Sequence, residues 1–197
     1  FLGVAKTGIT VRGVDASGAP ITSAAGAVAV VTTNSTANYG PDGIWVEADD
    51  ATLSGLKILD NMNGLVISNN KTIEVIANNV TIQHCWMAVT EGGSFYFNDW
   101  RYDDGTNTSH LQSYTINGNL IDFGGSIDFA DGAGYSGPAS GRVIANNTFI
   151  IPTGVYWAVI SFNGSGTGVE WFINSVGGAV ITGNTFNGGE QHIIRAR

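Results

Sequence analysis

Apolar and polar positions alternate along this chain in short runs, and each run stops at a glycine, asparagine or histidine. A two-residue period predicts strands with one buried face rather than helices. One unit recurs: an apolar residue, any residue, a turn residue, a fixed position, any residue, a second apolar residue. It reads Val11-Arg12-Gly13-Val14-Asp15-Ala16, then Leu53-Ser54-Gly55-Leu56-Lys57-Ile58 and Ile82-Gln83-His84-Cys85-Trp86-Met87. It returns as Ile116-Asn117-Gly118-Asn119-Leu120-Ile121, Ile144-Ala145-Asn146-Asn147-Thr148-Phe149 and Ile181-Thr182-Gly183-Asn184-Thr185-Phe186. The third position is always a residue that tolerates a left-handed backbone, so a sharp bend between two strands is predicted there. His84 then fills a bend and needs no chemical role.

The fourth position changes from Val14, Leu56 and Cys85 to Asn119, Asn147 and Asn184. Stacked copies would lie about 4.8 Å apart, the distance between neighbouring strands. The three asparagines are predicted to form a ladder of amide hydrogen bonds in consecutive bends. An antiparallel sandwich would not call for such a column. A second pattern precedes the bends: Gly93-Ser94-Phe95-Tyr96-Phe97-Asn98-Asp99 matches Gly125-Ser126-Ile127-Asp128-Phe129-Ala130-Asp131, and Gly43–Glu47 and Gly64–Ser68 fit the same register. Alternation puts Ile44, Val46, Leu65, Ile67, Phe95, Phe97, Ile127 and Phe129 inside. The outward column then reads Trp45, Val66, Tyr96 and Asp128, with Glu47, Ser68, Asn98 and Ala130 beside it. The fold class expected is all-β, a right-handed parallel β-helix of about six to seven coils.

Composition narrows the function. The 197 residues form one domain with no linker-like break, and the strand-like sequence at both termini reads as a segment excised from a longer chain with flanking domains. Charged residues make up only 12% against 43% hydrophobic, which suits tight β turns and not surface helices. A net charge of −8 argues against nucleic acid, which needs basic clusters. No apolar run approaches the roughly 18 residues of a membrane span. The single cysteine, Cys85, sits in an apolar stretch and reads as a buried, inert thiol. Six Asn-x-Ser/Thr sequons, at Asn34, Asn70, Asn79, Asn107, Asn146 and Asn163, follow from the abundance of Asn and Thr.

The alternating strands, the Asn-rich bends and the Asn-Asn-Thr-Phe and Gly-Asn-Thr-Phe phrases resemble the right-handed parallel β-helix repeat, or pectin-lyase-like, superfamily. The resemblance runs from about Thr10 onward and implies an extracellular or cell-surface protein in contact with polysaccharide. It also implies that ligands lie along the outer face of the first strand of each coil. There Trp45, Glu47, Tyr96, Asn98, Arg101 and Asp128 are the candidate carbohydrate-binding residues, since sugar faces pack on rings while hydroxyls need donors and acceptors. The long insertion after Tyr96 carries Asp99, Asp103 and Asp104. With Asp131 one coil away, these are candidate ligands of Ca²⁺, which takes six to eight oxygens. Solvated turn acids are the plainer reading of the same residues.

Lyase relatives pair a cation with an Arg or Lys base, and Arg101 and Arg195 are the basic residues near that face. Hydrolase relatives use clustered carboxylates, which Asp128 with Asp99 or Asp131 would approximate. No catalytic set of the superfamily transfers residue by residue. The expectation is a carbohydrate-binding β-helix segment; the alternatives are a polysaccharide lyase or glycoside hydrolase, and a structural stalk or fibre segment.

Overall fold

A computed structural model describes residues 2–33, 44–60, 73–75, 77–88, 93–98, 113–122, 126–130, 141–151, 160–163, 179–188 and 194–196. The chain moves through short strands in groups of three. The first circuit holds β1 (Leu2–Val4), β2 (Thr10–Arg12) and β3 (Ala29–Thr33), and the second β4 (Ile44–Val46), β5 (Thr52–Ser54) and β6 (Leu56–Asp60). The third has β7 (Ile73–Val75), β8 (Val80–Gln83) and β9 (Trp86–Ala88); the fourth has β10 (Gly93–Asn98), β11 (Tyr114–Asn117) and β12 (Leu120–Asp122). The fifth contributes β13 (Ser126–Ala130), β14 (Arg142–Ala145) and β15 (Thr148–Ile151). The sixth contributes β16 (Ile160–Asn163), β17 (Ala179–Thr182) and β18 (Thr185–Gly188), and β19 (Ile194–Ala196) begins a seventh.

Three parallel sheets result. The first runs β1-β4-β7-β10-β13-β16-β19, the second β2-β5-β8-β11-β14-β17 and the third β3-β6-β9-β12-β15-β18. Each strand therefore lies beside its counterpart one circuit earlier and one later. Parallel sheets bury one face of each strand against a shared interior, so one alternating set of side chains stacks as columns. Val11–Leu53–Ile82–Ile116–Ile144–Ile181 is the inward column of the second sheet, and Val31–Ile58–Met87–Ile121–Phe149–Phe186 that of the third. Leu53, Ile82, Ile116, Ile144, Ile58, Met87, Ile121 and Phe149 are fully buried. Phe149 and Phe186 stack with ring centroids 4.9 Å apart.

The bends between the second and third sheets follow the expectation, with one exception. Gly55, His84, Gly118, Asn146 and Gly183 have φ between 55 and 65°. Each main-chain N–H up to Asn146 donates to the carbonyl just before the next circuit's bend: Gly55 to Gln83, His84 to Asn117, Gly118 to Ala145 and Asn146 to Thr182, at 3.0–3.1 Å. The asparagine ladder also forms. Asn119 Oδ1 accepts from the Cys85 N–H at 2.9 Å, Asn147 Oδ1 from the Asn119 N–H at 3.0 Å, and Asn184 Oδ1 from the Asn147 N–H at 2.9 Å. The Nδ2 groups of Asn119, Asn147 and Asn184 donate to the carbonyls of Ile82, Ile116 and Ile144.

The exception is the first copy of the motif. Val14-Asp15-Ala16 does not form the strand after the bend; that place belongs to Ala29–Thr33, in register with Leu56–Asp60, and Val14 is 43% exposed. Asp15 diverts the chain: its Oδ1 accepts from the Ser17 and Ala19 N–H groups and the Ser17 hydroxyl. Gly18 at φ 83° and a bridge from Val14 to Pro20 complete a local turn. Asx-turn chemistry followed by Gly and Pro outcompetes strand continuation here. The Ser17 hydroxyl bond, with the backbone bonds, holds the Asp15 carboxyl below its ordinary range.

A second bend column, between the first and second sheets, escapes the motif. Gly8, Asp50, Asn79 and Gly141 occupy it with φ of 71, 60, 53 and 78°. Asn78 N–H donates to Asp49 Oδ1 at 2.7 Å, Asn79 Nδ2 to Asp50 Oδ1 at 2.6 Å, and Ser113 N–H to Asn78 Oδ1 at 2.7 Å. Polar side chains here knit circuit to circuit, as the asparagines do at the other bend.

Candidate functional site

The first sheet presents the column on which the sequence placed its binding residues, with one substitution. Gly64–Ser68 lies outside the described residues, and the strand between β4 and β10 is Ile73–Val75. Val66 is therefore replaced in the column by Glu74. The reason is connection length. Ile73-Glu74-Val75 stands as close before Val80 as Ile44–Val46 stands before Thr52, close enough for the tight bends at Asn79 and Asp50. From Ile67 the chain would need a long loop instead. Ile44, Val46, Ile73, Val75, Ile127 and Ile160 are fully buried, which sets the alternate positions on the outer face.

Those alternate positions read Gly3–Trp45–Glu74–Tyr96–Asp128–Ser161–Arg195 in continuous Cα register. Six steps at ~4.8 Å make the column about 29 Å long. Asn98, Ala130 and Asn163 form a second, shorter column beside it. Glu47 follows β4 and is exposed, its N–H donating to the Val4 carbonyl at 2.9 Å. Trp45 is half-buried. Tyr96, Asn98, Asp128, Glu74, Ser161 and Arg195 are placed here by backbone register alone.

Arg101 and the candidate Ca²⁺ ligands Asp99, Asp103, Asp104 and Asp131 lie outside the described residues. Among the described residues no group of three or more His, Cys, Asp or Glu is arranged to hold a metal ion. No helix among them is long and apolar enough to cross a membrane.

Sequence reasoning missed Glu74 and Ser161, although both sit midway between apolar residues in the same alternation as Trp45 and Tyr96. It also missed Arg142, 5% exposed in the inward column Val80–Tyr114–Arg142–Ala179. The Arg142 guanidinium carbon lies 6.0 Å from the Tyr114 ring centre. Burial drives the Tyr114 hydroxyl far above its ordinary value, with Arg142 pulling the other way. This pair occupies the interior and not the outer column. The third sheet's outer face carries Trp86, but Lys57 Nζ sits 3.8 Å over its ring, closing that face to a stacking sugar.

Cys85 matches its expected role. It is fully buried, and burial pushes its thiol up to about 11. A thiol reagent at pH 8 should leave Cys85 unmodified in the folded protein and label it fully in denaturant, because only the thiolate attacks. Fast labelling without denaturant would contradict this burial.

No protein-family model, no curated protein and no solved structure matches this chain.

Proposed function

We propose that the chain is a right-handed parallel β-helix of the pectin-lyase-like kind and that the outer column of its first sheet binds polysaccharide outside the cell. The return of each strand to its own sheet beside its predecessor supports the winding, and crossovers between parallel strands are right-handed in nearly all proteins. The observation that carries the binding reading is the register Trp45–Glu74–Tyr96–Asp128–Ser161–Arg195. Rings alternating with carboxylates, then a hydroxyl and a guanidinium, offer a long sugar chain both stacking surfaces and paired hydrogen-bonding groups.

A hydrolytic reading draws on one specific feature. Glu74 and Asp128 are two steps apart in that column, about 10 Å at the backbone. Inverting glycosidases separate their carboxyl groups by about 6.5–9.5 Å.

A glycan array tests binding, and reducing-end and unsaturated-uronate assays on the bound glycans test cleavage. Trp45→Ala and Tyr96→Ala should each weaken glycan binding roughly tenfold, about 1.4 kcal/mol, with melting temperature nearly unchanged. Unchanged affinity in both variants would move the site off this sheet. Turnover abolished by Glu74→Gln and Asp128→Asn, with binding kept, would select the hydrolase.

A further inference from the structure

The outer column of the first sheet has a period of its own. Trp45, Glu74, Tyr96 and Asp128 follow one another in register, so rings and carboxylates alternate step by step. Ring to ring and carboxylate to carboxylate are each two steps, about 9.6 Å at the strand spacing. The stacking of circuits does not impose this alternation. The matching column of the second sheet reads Thr10, Thr52, Thr81, Thr115, Val143 and Val180, with neither ring nor charge. In the third sheet Lys57 and Trp86 hold successive places, and the column continues through Leu120, Thr148 and Thr185 without a carboxylate.

Charge sets a second condition. Glu47, exposed just past Trp45, adds a carboxylate to those of Glu74 and Asp128. Among the described residues this column and the neighbouring Asn98–Ala130–Asn163 column hold one basic residue, Arg195, beyond Ser161. The whole chain carries a net charge of −8. A polyuronate is repelled along this stretch, whereas a polycation is attracted at each carboxylate. Each exposed pair contributes little, but a polymer engages several at once.

We propose that this column selects an extended β-1,4-linked chain of amino sugars, a glucosamine polymer carrying protonated amines. The proposal rests on the reading of the column as a polysaccharide site and narrows it to one substrate class. In a β-1,4-linked chain each sugar is turned over relative to its neighbour. Every second sugar therefore presents the same face and the same edge, over a length close to two strand spacings. One set of alternate sugars stacks on Trp45 and Tyr96. The sugars between them bring their ammonium groups, all on one edge, to Glu74 and Asp128. Acetylation keeps the repeat and removes the charge. A galacturonate chain has the opposite charge, and its α-linkages wind it so that faces do not return at every second sugar.

Calorimetric titration with equal-length oligomers of glucosamine, N-acetylglucosamine and galacturonic acid tests this. The glucosamine oligomer should bind roughly tenfold more tightly than the acetylated one, and the galacturonate oligomer should not bind. Added salt should shrink that lead, because exposed charges are screened. Glu74→Gln and Asp128→Asn should each weaken glucosamine binding about threefold, and together they should erase the lead. Trp45→Ala should weaken both β-linked oligomers by the same factor. Unchanged melting shows that the variants fold. Equal affinity for the acetylated oligomer, a lead that survives in the double variant, or tight binding of galacturonate overturns the charge selection while the glycan site stands. If none of the three binds and the glycan array shows another ligand, the linkage assignment fails and the site again stands. An array without any ligand removes the site and the assignment together.

Discussion

Asn147→Leu is expected to lower the folding free energy by about 3 kcal/mol, although leucine nearly matches asparagine in size. Asn147 is fully buried, and its amide serves three partners. Its Oδ1 accepts from the Asn119 N–H and Nδ2, and its Nδ2 donates to the Ile116 carbonyl and to Asn184 Oδ1. Leucine leaves the Asn119 N–H and the Ile116 carbonyl buried and unpaired, and each such orphan costs roughly 1–3 kcal/mol. Asn184→Leu should cost only about 1 kcal/mol, because Asn184 lies at the half-buried end of the ladder where water replaces lost partners. Urea unfolding of the two variants, with unchanged slope, measures the difference. Equal losses would mean that the ladder is wet along its whole length.

The asparagine ladder was legible because it answers two demands at once. A left-handed bend restricts residue choice at one position from Gly55 to Gly183, and a buried amide restricts it at the next through the last three copies of the motif, so the two columns reinforce each other there. The other bend column was harder to read. Gly8, Asp50, Asn79 and Gly141 satisfy the same left-handed demand, but their neighbours vary because Asp49, Asn78 and Ser113 satisfy one another through different atoms. Ile73-Glu74-Val75 was passed over for a similar reason. A three-residue strand is a single alternation, and only its spacing from the following bend marks it. Periodicity also says nothing about a polar residue on an inward position, so Arg142 stayed hidden. The site is legible to the extent that register is: Trp45, Tyr96 and Asp128 fall in one column as expected, and Glu74 was recovered only when strand pairing was known.

Gly13→Ala should cost about 3 kcal/mol and lower the melting temperature by roughly 9 °C, at about 2–4 °C per kcal/mol for a chain of this size. Gly118→Ala should cost only about 1 kcal/mol and roughly 3 °C. Both glycines occupy the same place in the repeat, and a purely conformational argument would rank them the other way. Gly118 has φ of 65°, which alanine adopts under strain, whereas Gly13 is not among the residues of positive φ. Space decides instead. A Cβ on Gly118 would meet His84 Cδ2 at 3.0 Å, the edge of a half-buried ring that turns aside. A Cβ on Gly13 would collide with the Gly55 carbonyl oxygen and stand 2.9 Å from its carbon and 3.1 Å from Ala29 Cβ. Gly55 has little freedom to retreat, since its own N–H is bonded to Gln83 and its Cβ position already crowds Ile21. The strain therefore passes into the backbone of the second circuit and the buried excursion at Ile21. Thermal unfolding of the two variants side by side gives the ranking. A Gly118 variant as damaged as the Gly13 variant would show that left-handed strain, and not the close approach of two circuits, makes glycine necessary at this bend.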